Sequence, residues 1–337
     1  MRNVPLLSVV VPCFNEADVL RSTYDRLKAT LGHLSGALEF IFVDDGSEDA
    51  TWARLCELAG EDERFAAIRL SRNFGHQYAI SAGLEHSSGR YVAVLDADLQ
   101  DPPELIPRML ELAQRGYDVV YGRRSARAGE SALKKASASL FYRLLNSFSD
   151  IPIPEDVGDF RVMSRRVVAI LRDMPERDRF IRGLVSWLGF RQTGVDYERD
   201  PRARGKSKYS WPKMLRLALT GISSFSVAPL RVCIYLSYLM FGLALVGVFY
   251  VLWAWLELDA VRGWASLAIL ILVLSGCNLF FTGVLGEYVG KTYFQTKMRP
   301  LYVIDEMVNL DAGQPEAEAP RPAGPHPRYW QAPPDRR

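Results

Sequence analysis

The chain predicts an α/β domain with a mostly parallel sheet, followed by an amphipathic interface helix and a two-helix membrane hairpin. Three observations carry this. Short apolar runs alternate with helical periods from Leu6 to about Tyr121, the pattern of parallel strands joined by right-handed crossovers. The first four runs each end in polar residues, at Asn15/Glu16, Asp44/Asp45, Arg72/Asn73 and Asp96/Asp98, where such sheets place ligands. Finally, Val232–Trp255 and Trp264–Gly286 carry no charge, and each exceeds the roughly 20 residues that a bilayer core demands.

In order, Leu6–Val11 reads as a buried strand closed by Pro12, and a helix opens at Asn15 or Glu16. That helix runs to about Leu31, with Val19, Leu20, Tyr24, Leu27 and Leu31 at helical spacing. Leu38–Val43 is a second strand, ending in Asp44-Asp45-Gly46-Ser47. Ser47 or Asp49 caps the next helix, whose apolar side is Trp52, Leu55, Cys56 and Leu58. Phe65–Leu70 is a third strand, the loop Ser71–Gly75 follows, and a helix spans Gln77–His86.

Tyr91–Leu95 is a strand buried on both faces that stops in Asp96, Asp98, Gln100 and Asp101. Pro102 and Pro103 bar its continuation, and Pro103 can be the first residue of a helix through Glu104, Leu105 and Met109. Asp96 and Asp98 alternate with Ala97, so in an extended chain their carboxylates share a side. Two hard oxygen ligands at a strand end suit Mg²⁺ or Mn²⁺ carrying a diphosphate. Asp-x-Asp alone fits a solvated acidic turn equally well; the polar ends of the neighbouring strands favour the metal. Val119–Tyr121 is a further short strand.

A basic middle segment follows: Arg123, Arg124, Arg127, Lys134, Lys135 and Arg143, then Arg177, Arg179 and Arg182, then Arg202–Lys208. Solvated faces account for many of these charges; as a set they suit phosphates or a membrane surface. Trp211–Phe225 has apolar residues interleaved with Lys213 and Arg216, an amphipathic helix for an interface. Arg231 precedes the first uncharged run and Lys291, Lys297 and Arg299 follow the second, while the turn between has one basic residue, Arg262. The positive-inside rule therefore puts both ends in the cytoplasm. From about Asp311 the chain is rich in Pro, Ala, Glu and Arg, a disordered tail by composition.

Composition removes several classes. A formal net charge of +2 over 337 residues points to no nucleic-acid partner. The four cysteines, Cys13, Cys56, Cys233 and Cys277, include no CxxC pair, which excludes a zinc ribbon or disulfide scaffold and fits reduced thiols. No signal peptide is expected, because Leu6–Val11 is too short an apolar segment. The missing GxGxxG argues against a dinucleotide-binding domain, and the missing glycine-rich loop against a nucleotidyltransferase. The metal-binding carboxylate pair, the acidic residues on neighbouring strand ends and the membrane anchor point to a nucleotide-diphosphate donor used at a lipid surface, where Glu16 and Asp44 could accept hydrogen bonds from ribose hydroxyls and base N–H groups.

The motifs VVPCFNEAD, VDDGSEDAT, LSRNFG, DADLQDPPE, DVGDFRVMSRR, RFIRGL, RARGKSKY and GEYVGKTYFQTKMRPLY, in this order, resemble a family 2 glycosyltransferase of the GT-A fold. Within that family they are similar to the polyprenyl-phosphate glycosyltransferases: bactoprenol glucosyltransferases, the undecaprenyl-phosphate aminoarabinose transferase and dolichol-phosphate mannose synthases. The resemblance covers Leu6 to about Val303 and implies inverting, metal-dependent transfer of one sugar from a nucleotide sugar to a polyprenyl phosphate. UDP is favoured by closeness to the bacterial members, with undecaprenyl phosphate as acceptor at the inner membrane. It implies a transferase domain over 1–210, the amphipathic helix over 211–228, the hairpin over 229–290, a cytoplasmic segment over 291–310 and the tail over 311–337. Family members include tetramers, so a homo-oligomer is an open expectation.

By the same resemblance, Pro12, Asn15, Glu16, Asp44, Asp45 and Asp96 belong to the nucleotide site, and Asp96, Asp98 and Gln100 to the metal and diphosphate motif. Asp159, in Gly-Asp-Phe-Arg, is expected to face the acceptor phosphate as catalytic base, with Asp156 as its competitor. Arg124, Lys135, Ser139 and Arg202 fall where the family places groups for the lipid phosphate. His76 reads as an imidazole partnered in a loop rather than a catalytic group. Two alternatives stand beside this reading. A processive polysaccharide synthase is disfavoured by the missing Gln-x-x-Arg-Trp motif and by only two helices for a channel. A catalytically dead, membrane-tethered scaffold is disfavoured by the intact Asp96, Asp98 and Asp159.

Overall fold

The computed structural model describes residues 4–34, 38–126, 157–177, 179–198, 228–257 and 264–310. The expected amphipathic helix over 211–228 lies outside the described residues except for its last residue, as do Asp156, Lys135, Ser139, Arg202, the hairpin turn and the tail over 311–337.

The strands are β1 (Leu7–Cys13), β2 (Leu38–Asp44), β3 (Phe65–Leu70), β4 (Tyr91–Val94), β5 (Val119–Ala126), β6 (Val157–Ser164), β7 (Gln192–Glu198) and β8 (Ile304–Val308). They form one sheet in the order β7-β5-β6-β4-β1-β2-β3-β8. β1, β2, β3 and β4 are mutually parallel, as the alternation predicts, so their polar ends meet along one edge. β6 enters antiparallel between β4 and β5, and β8 closes the far edge antiparallel to β3.

Helices α1 (Leu20–Leu31), α2 (Thr51–Glu61) and α4 (Ile106–Gln114) cover one face; α3 (His76–His86), α5 (Arg165–Asp173) and α6 (Ile181–Trp187) cover the other. Successive strand residues point to opposite faces: Val9, Val11, Phe40 and Phe42 join the first core, and Val10, Ile41 and Val43 the second. In the first, Tyr24 meets Phe40 and Phe65 edge-on at 5.5 and 5.0 Å while Phe42 stacks on Phe65 at 4.6 Å. Each such buried side chain contributes about 1.5–3 kcal/mol.

Several boundaries differ from expectation for local reasons. β1 does not close at Pro12 but continues to Cys13. The Val10 carbonyl bonds Leu95 N on the β4 side; two residues on, the missing N–H of Pro12 faces the same side, beyond the end of β4, where no ladder bond is lost. α1 opens at Leu20, not at Asn15 or Glu16, because Asn15 holds a left-handed φ of 55° and the Glu16 carbonyl accepts from Val19 and Leu20. Pro103 starts a 3₁₀ turn, Pro103–Leu105, that leads into α4. Asp49, rather than Ser47, takes the Thr51 N–H at the start of α2.

Two long helices follow, α7 (Ala228–Glu257, 30 residues) and α8 (Trp264–Thr296, 33 residues). Tyr235, Leu239, Phe241, Phe249, Leu279 and Phe280 are exposed along them. Over the described residues no helix is long and apolar enough to cross a membrane; the uncharged runs 232–255 and 264–286 include positions whose side chains lie outside that description. Beyond α8, β8 returns the chain to the sheet: the Ser71 N–H donates to the Val303 carbonyl, and Asn309 donates to the Ala59 and Phe65 carbonyls.

Candidate active site

β4 and β6 pair antiparallel with Tyr91 opposite Ser164 and Val94 opposite Arg161. Carried two residues beyond β4, that register sets Asp96 against Asp159. His76, the first residue of α3, approaches from the other side. Its Nε2 lies 3.1 Å from Asp159 Oδ2 and 3.5 Å from Asp96 Oδ1. Between two carboxylates, Nε2 is the nitrogen that carries the hydrogen.

Asp159 is 4 % exposed and fully engaged. Arg182, the second residue of α6, grips it with two bonds: Nε to Oδ1 at 2.8 Å and Nη2 to Oδ2 at 2.9 Å. Gln77 adds a 3.2 Å bond from Nε2 to Oδ2, while its Oε1 accepts the Ile181 N–H at 2.9 Å, so one amide ties α3 to α6. With His76, four donors converge on the carboxylate, one on Oδ1 and three on Oδ2. Burial alone would raise the Asp159 pKa, but Arg182, then His76, hold it well below the usual carboxylate range. Arg161 is not the main counter-ion: its guanidinium sits 3.9 Å away and donates to the Gly158 and Asp159 carbonyls. Burial pulls its pKa down to about 10, against the Asp159 charge. Held this way, Asp159 is a weak base in the absence of ligands.

Asp96 is 26 % exposed as a side chain, and its Oδ1 is buried without a hydrogen bond. Burial pushes its pKa up to about 6, with His76 opposing and Asp159, Asp101 and Asp98 adding to the rise. For His76, burial disfavours the imidazolium, yet the Asp159 hydrogen bond and the Asp96 and Asp159 charges outweigh it and raise the pKa. Asp98 Oδ1 accepts the Gln100 N–H at 3.2 Å across Leu99, whose φ of 57° is left-handed. A non-glycine residue there is strained, and such strain concentrates at functional turns. Asp96 and Asp98 thus lie in a tight turn past β4 rather than on an extended strand. Among the described residues no group of three or more His, Cys, Asp or Glu is arranged to hold a metal by itself. The orphaned Asp96 oxygen and the neighbouring Asp98 nevertheless fit a dication that draws its other ligands from phosphates and water.

The ends of β1 and β2 are knitted by their own polar groups. Asn15 N donates to Ser47 Oγ, Asn15 Oδ1 accepts the Glu48 N–H, and Glu16 N donates to Thr51 Oγ1. Asp44 is fully buried; its Oδ1 accepts the Ser47 N–H, while Oδ2 has no hydrogen bond and faces Arg69 at 3.9 Å. Asp45 accepts the Phe74 and Gly75 N–H groups, fixing the loop that delivers His76. Burial raises both pKa values, opposed by these bonds. Gly46, at φ +66°, is required here: a Cβ would meet the Arg72 backbone carbon at 2.4 Å. Pro12 stands beside them in β1, paired with Val43.

Of the expected acceptor-phosphate groups, only Arg124 is described. Its Nε donates to Tyr197 Oη at 3.3 Å and its Nη2 lies 3.7 Å from the buried Asp101. A Cβ on Gly158 would come within 2.8 Å of that guanidinium, so Arg124 lies against the residue before Asp159. The structure therefore brings together Asp96, Asp159 and Arg124, and adds His76, Gln77 and Arg182, which sequence reasoning did not select. Arg182 lies in the RFIRGL motif, and His76-Gln77 directly follow LSRNFG, which was the available signal.

Two family models and several known proteins are similar to this chain. The family model "Glycosyl transferase family 2" matches residues 8–171, and "GtrB C-terminal hairpin" matches 228–292. The uncharacterized glycosyltransferase YkcC of Bacillus subtilis (strain 168) is 45 % identical over 305 residues, 90 % of this chain and 94 % of that protein. The prophage bactoprenol glucosyl transferase homolog of Escherichia coli (strain K12) is 42 % identical over 304 residues, 88 % of this chain and 98 % of its own. The bactoprenol glucosyl transferase of Shigella phage SfX is 41 % identical over 304 residues, again 88 % and 98 %.

Proposed function

The chain belongs to glycosyl transferase family 2 and is a glycosyltransferase, and from that premise we propose that it moves one sugar from a UDP-sugar to a polyprenyl phosphate, with inversion, at the cytoplasmic face of the membrane. The observation that carries this is the meeting of Asp96 and Asp159 at His76, at the carboxyl ends of parallel strands. The names of the relatives support the lipid acceptor. In this reading α7 and α8 span the bilayer as a hairpin, leaving the catalytic domain and the segment carrying β8 in the cytoplasm. Their uncharged runs and flanking Arg231, Lys291, Lys297 and Arg299 support that placement.

The nucleotide lies over the ends of β1 and β2, against Pro12, Asn15, Glu16 and Asp44, with Asp45 shaping the adjoining loop. Asp96 and Asp98, with Gln100, would hold Mg²⁺ or Mn²⁺, which would supply positive charge to offset that on the leaving nucleotide. The acceptor is a phosphate monoester with a second pKa of about 6, mostly a dianion at neutral pH, so it needs little deprotonation. Asp159 then acts by fixing Arg182 and His76, and Arg124, Lys135, Ser139 and Arg202 supply charge-assisted contacts to the phosphate.

The test is to incubate the purified full chain with undecaprenyl phosphate, Mn²⁺ or Mg²⁺ and a panel of nucleotide sugars, and to identify the lipid product by mass. One added sugar per lipid supports the proposal. A polymer would favour a processive synthase, and no transfer or hydrolysis with any donor would favour a dead scaffold.

A further inference from the structure

The segment between α5 and α6 leads into Arg182, and the bonds that hold that segment come partly from α8. Gln295, the penultimate residue of α8, bonds that segment with both ends of its amide. Its Oε1 accepts the Arg177 N–H at 3.0 Å, and its Nε2 donates to the Pro175 carbonyl at 2.8 Å. From the opposite side Tyr78 Oη donates to the Arg177 carbonyl at 2.9 Å. Both backbone groups of Arg177 are thus fixed, one from α8 and one from α3. Inside the segment, Arg179 donates to the Leu171 and Met174 carbonyls at 2.6 Å each and is itself buried. At its far end the Ile181 N–H is taken by Gln77, and Arg182 follows on Asp159.

We propose that Gln295 is a positioning residue for the active site: it latches the end of α8 to the 175–177 segment and thereby sets Arg182 against Asp159. A side-chain amide that pairs with a backbone N–H and a nearby C=O reproduces the donor and acceptor of a strand edge, with the two functions on separate atoms. Glutamate at this position keeps the acceptor for Arg177 but sets a carboxylate against the Pro175 carbonyl. Alanine loses both bonds. Arg182 lies outside the nucleotide loops at the ends of β1 and β2, so loosening the latch shifts turnover and leaves donor binding alone. The turnover part of this inference rests on the proposed transferase reaction; the structural part does not.

The experiment uses the full chain in nanodiscs and compares wild type, Gln295→Ala, Gln295→Glu and Tyr78→Phe. Amide hydrogen exchange across 174–184 reports the latch without any assumption about the reaction. It should speed up in Gln295→Ala, less in Gln295→Glu, with exchange in β1 and β2 unchanged. Transfer to undecaprenyl phosphate should show kcat lowered roughly tenfold in Gln295→Ala, on the order of what two neutral hydrogen bonds contribute, with the KM for the nucleotide sugar unchanged. Combined with Tyr78→Phe, the effects should be non-additive, since both act on Arg177. Unchanged exchange across 174–184 in Gln295→Ala would overturn the latch, as would faster exchange with kcat within twofold of wild type. Failure of the wild type to transfer any sugar would instead sink the proposed reaction, and the exchange result would still decide the latch.

Discussion

Asp159 is heavily engaged: Arg182 takes both oxygens, and His76 and Gln77 converge on the second. A carboxylate in that setting orients its neighbours, and the dianionic acceptor asks for no strong base. Asp159→Asn keeps the size but donates where it should accept, so Arg182 loses half its fork. Turnover should fall by on the order of 10²-fold, the scale of a small misplacement of reacting groups, with nucleotide-sugar affinity near normal in calorimetry. Raising the pH should not restore the rate; recovery at high pH would return Asp159 to the role of base. Stability follows the same charge. Because the folded pKa of Asp159 is depressed, its stabilisation is complete above the unfolded value of about 3.9 and is lost as pH falls toward the lower folded value. The gap in thermal stability between wild type and Asp159→Asn should therefore be widest near neutrality and narrow below about pH 4.

Among the elements, α3 matters most, because its first turn delivers His76 and Gln77 to Asp159. It reaches that position by packing hard on β1: a Cβ on Gly83 would lie 2.2 Å from Val10 Cγ1. Gly83→Ala should push α3 off the sheet and cost about 1–3 kcal/mol, the usual range for overpacking, read as a lower urea midpoint together with reduced turnover. Gly32→Ala, where a Cβ meets nothing within 4 Å, is the control. A wild-type midpoint for Gly83→Ala would mean that the contact yields freely. Such close approaches leave little mark in a sequence. The parallel strands β1 to β4 were legible because their apolar runs are continuous and their ends polar, and so was the acidic turn at Asp96. β6 was quoted as the motif DVGDFRVMSRR but not read as a strand, because Asp159 and Arg161 interrupt its apolar pattern; both are buried as partners within one charged cluster. β8, with Asp305 and Glu306 on an edge, likewise lacks an apolar run. The site divides the same way: the strand-end carboxylates could be read, whereas His76 and Arg182 become site residues only through the β4–β6 register and the placement of α6.

At the scale of the whole molecule, α7 and α8 follow the sheet strand β7 in sequence and the chain returns through β8 to the edge of β3, so the C-terminal end of α8 is fastened twice. Gln295 ties α8 to the segment before α6, and β8 ties the chain beyond α8 to β3. In the proposed arrangement, with α7 and α8 spanning the bilayer, a catalytic domain fastened in this way would work on a lipid phosphate from one side only. The central claim is thus best tested in sealed membrane vesicles of defined orientation, supplied with an impermeant radiolabelled UDP-sugar and analysed for lipid-linked sugar. Inverted vesicles, which expose the cytoplasmic face, should form a lipid phosphate bearing a single sugar, and intact right-side-out vesicles should form none until they are opened. Equal labelling of sealed right-side-out vesicles, or a label confined to free sugar or polymer, would contradict it.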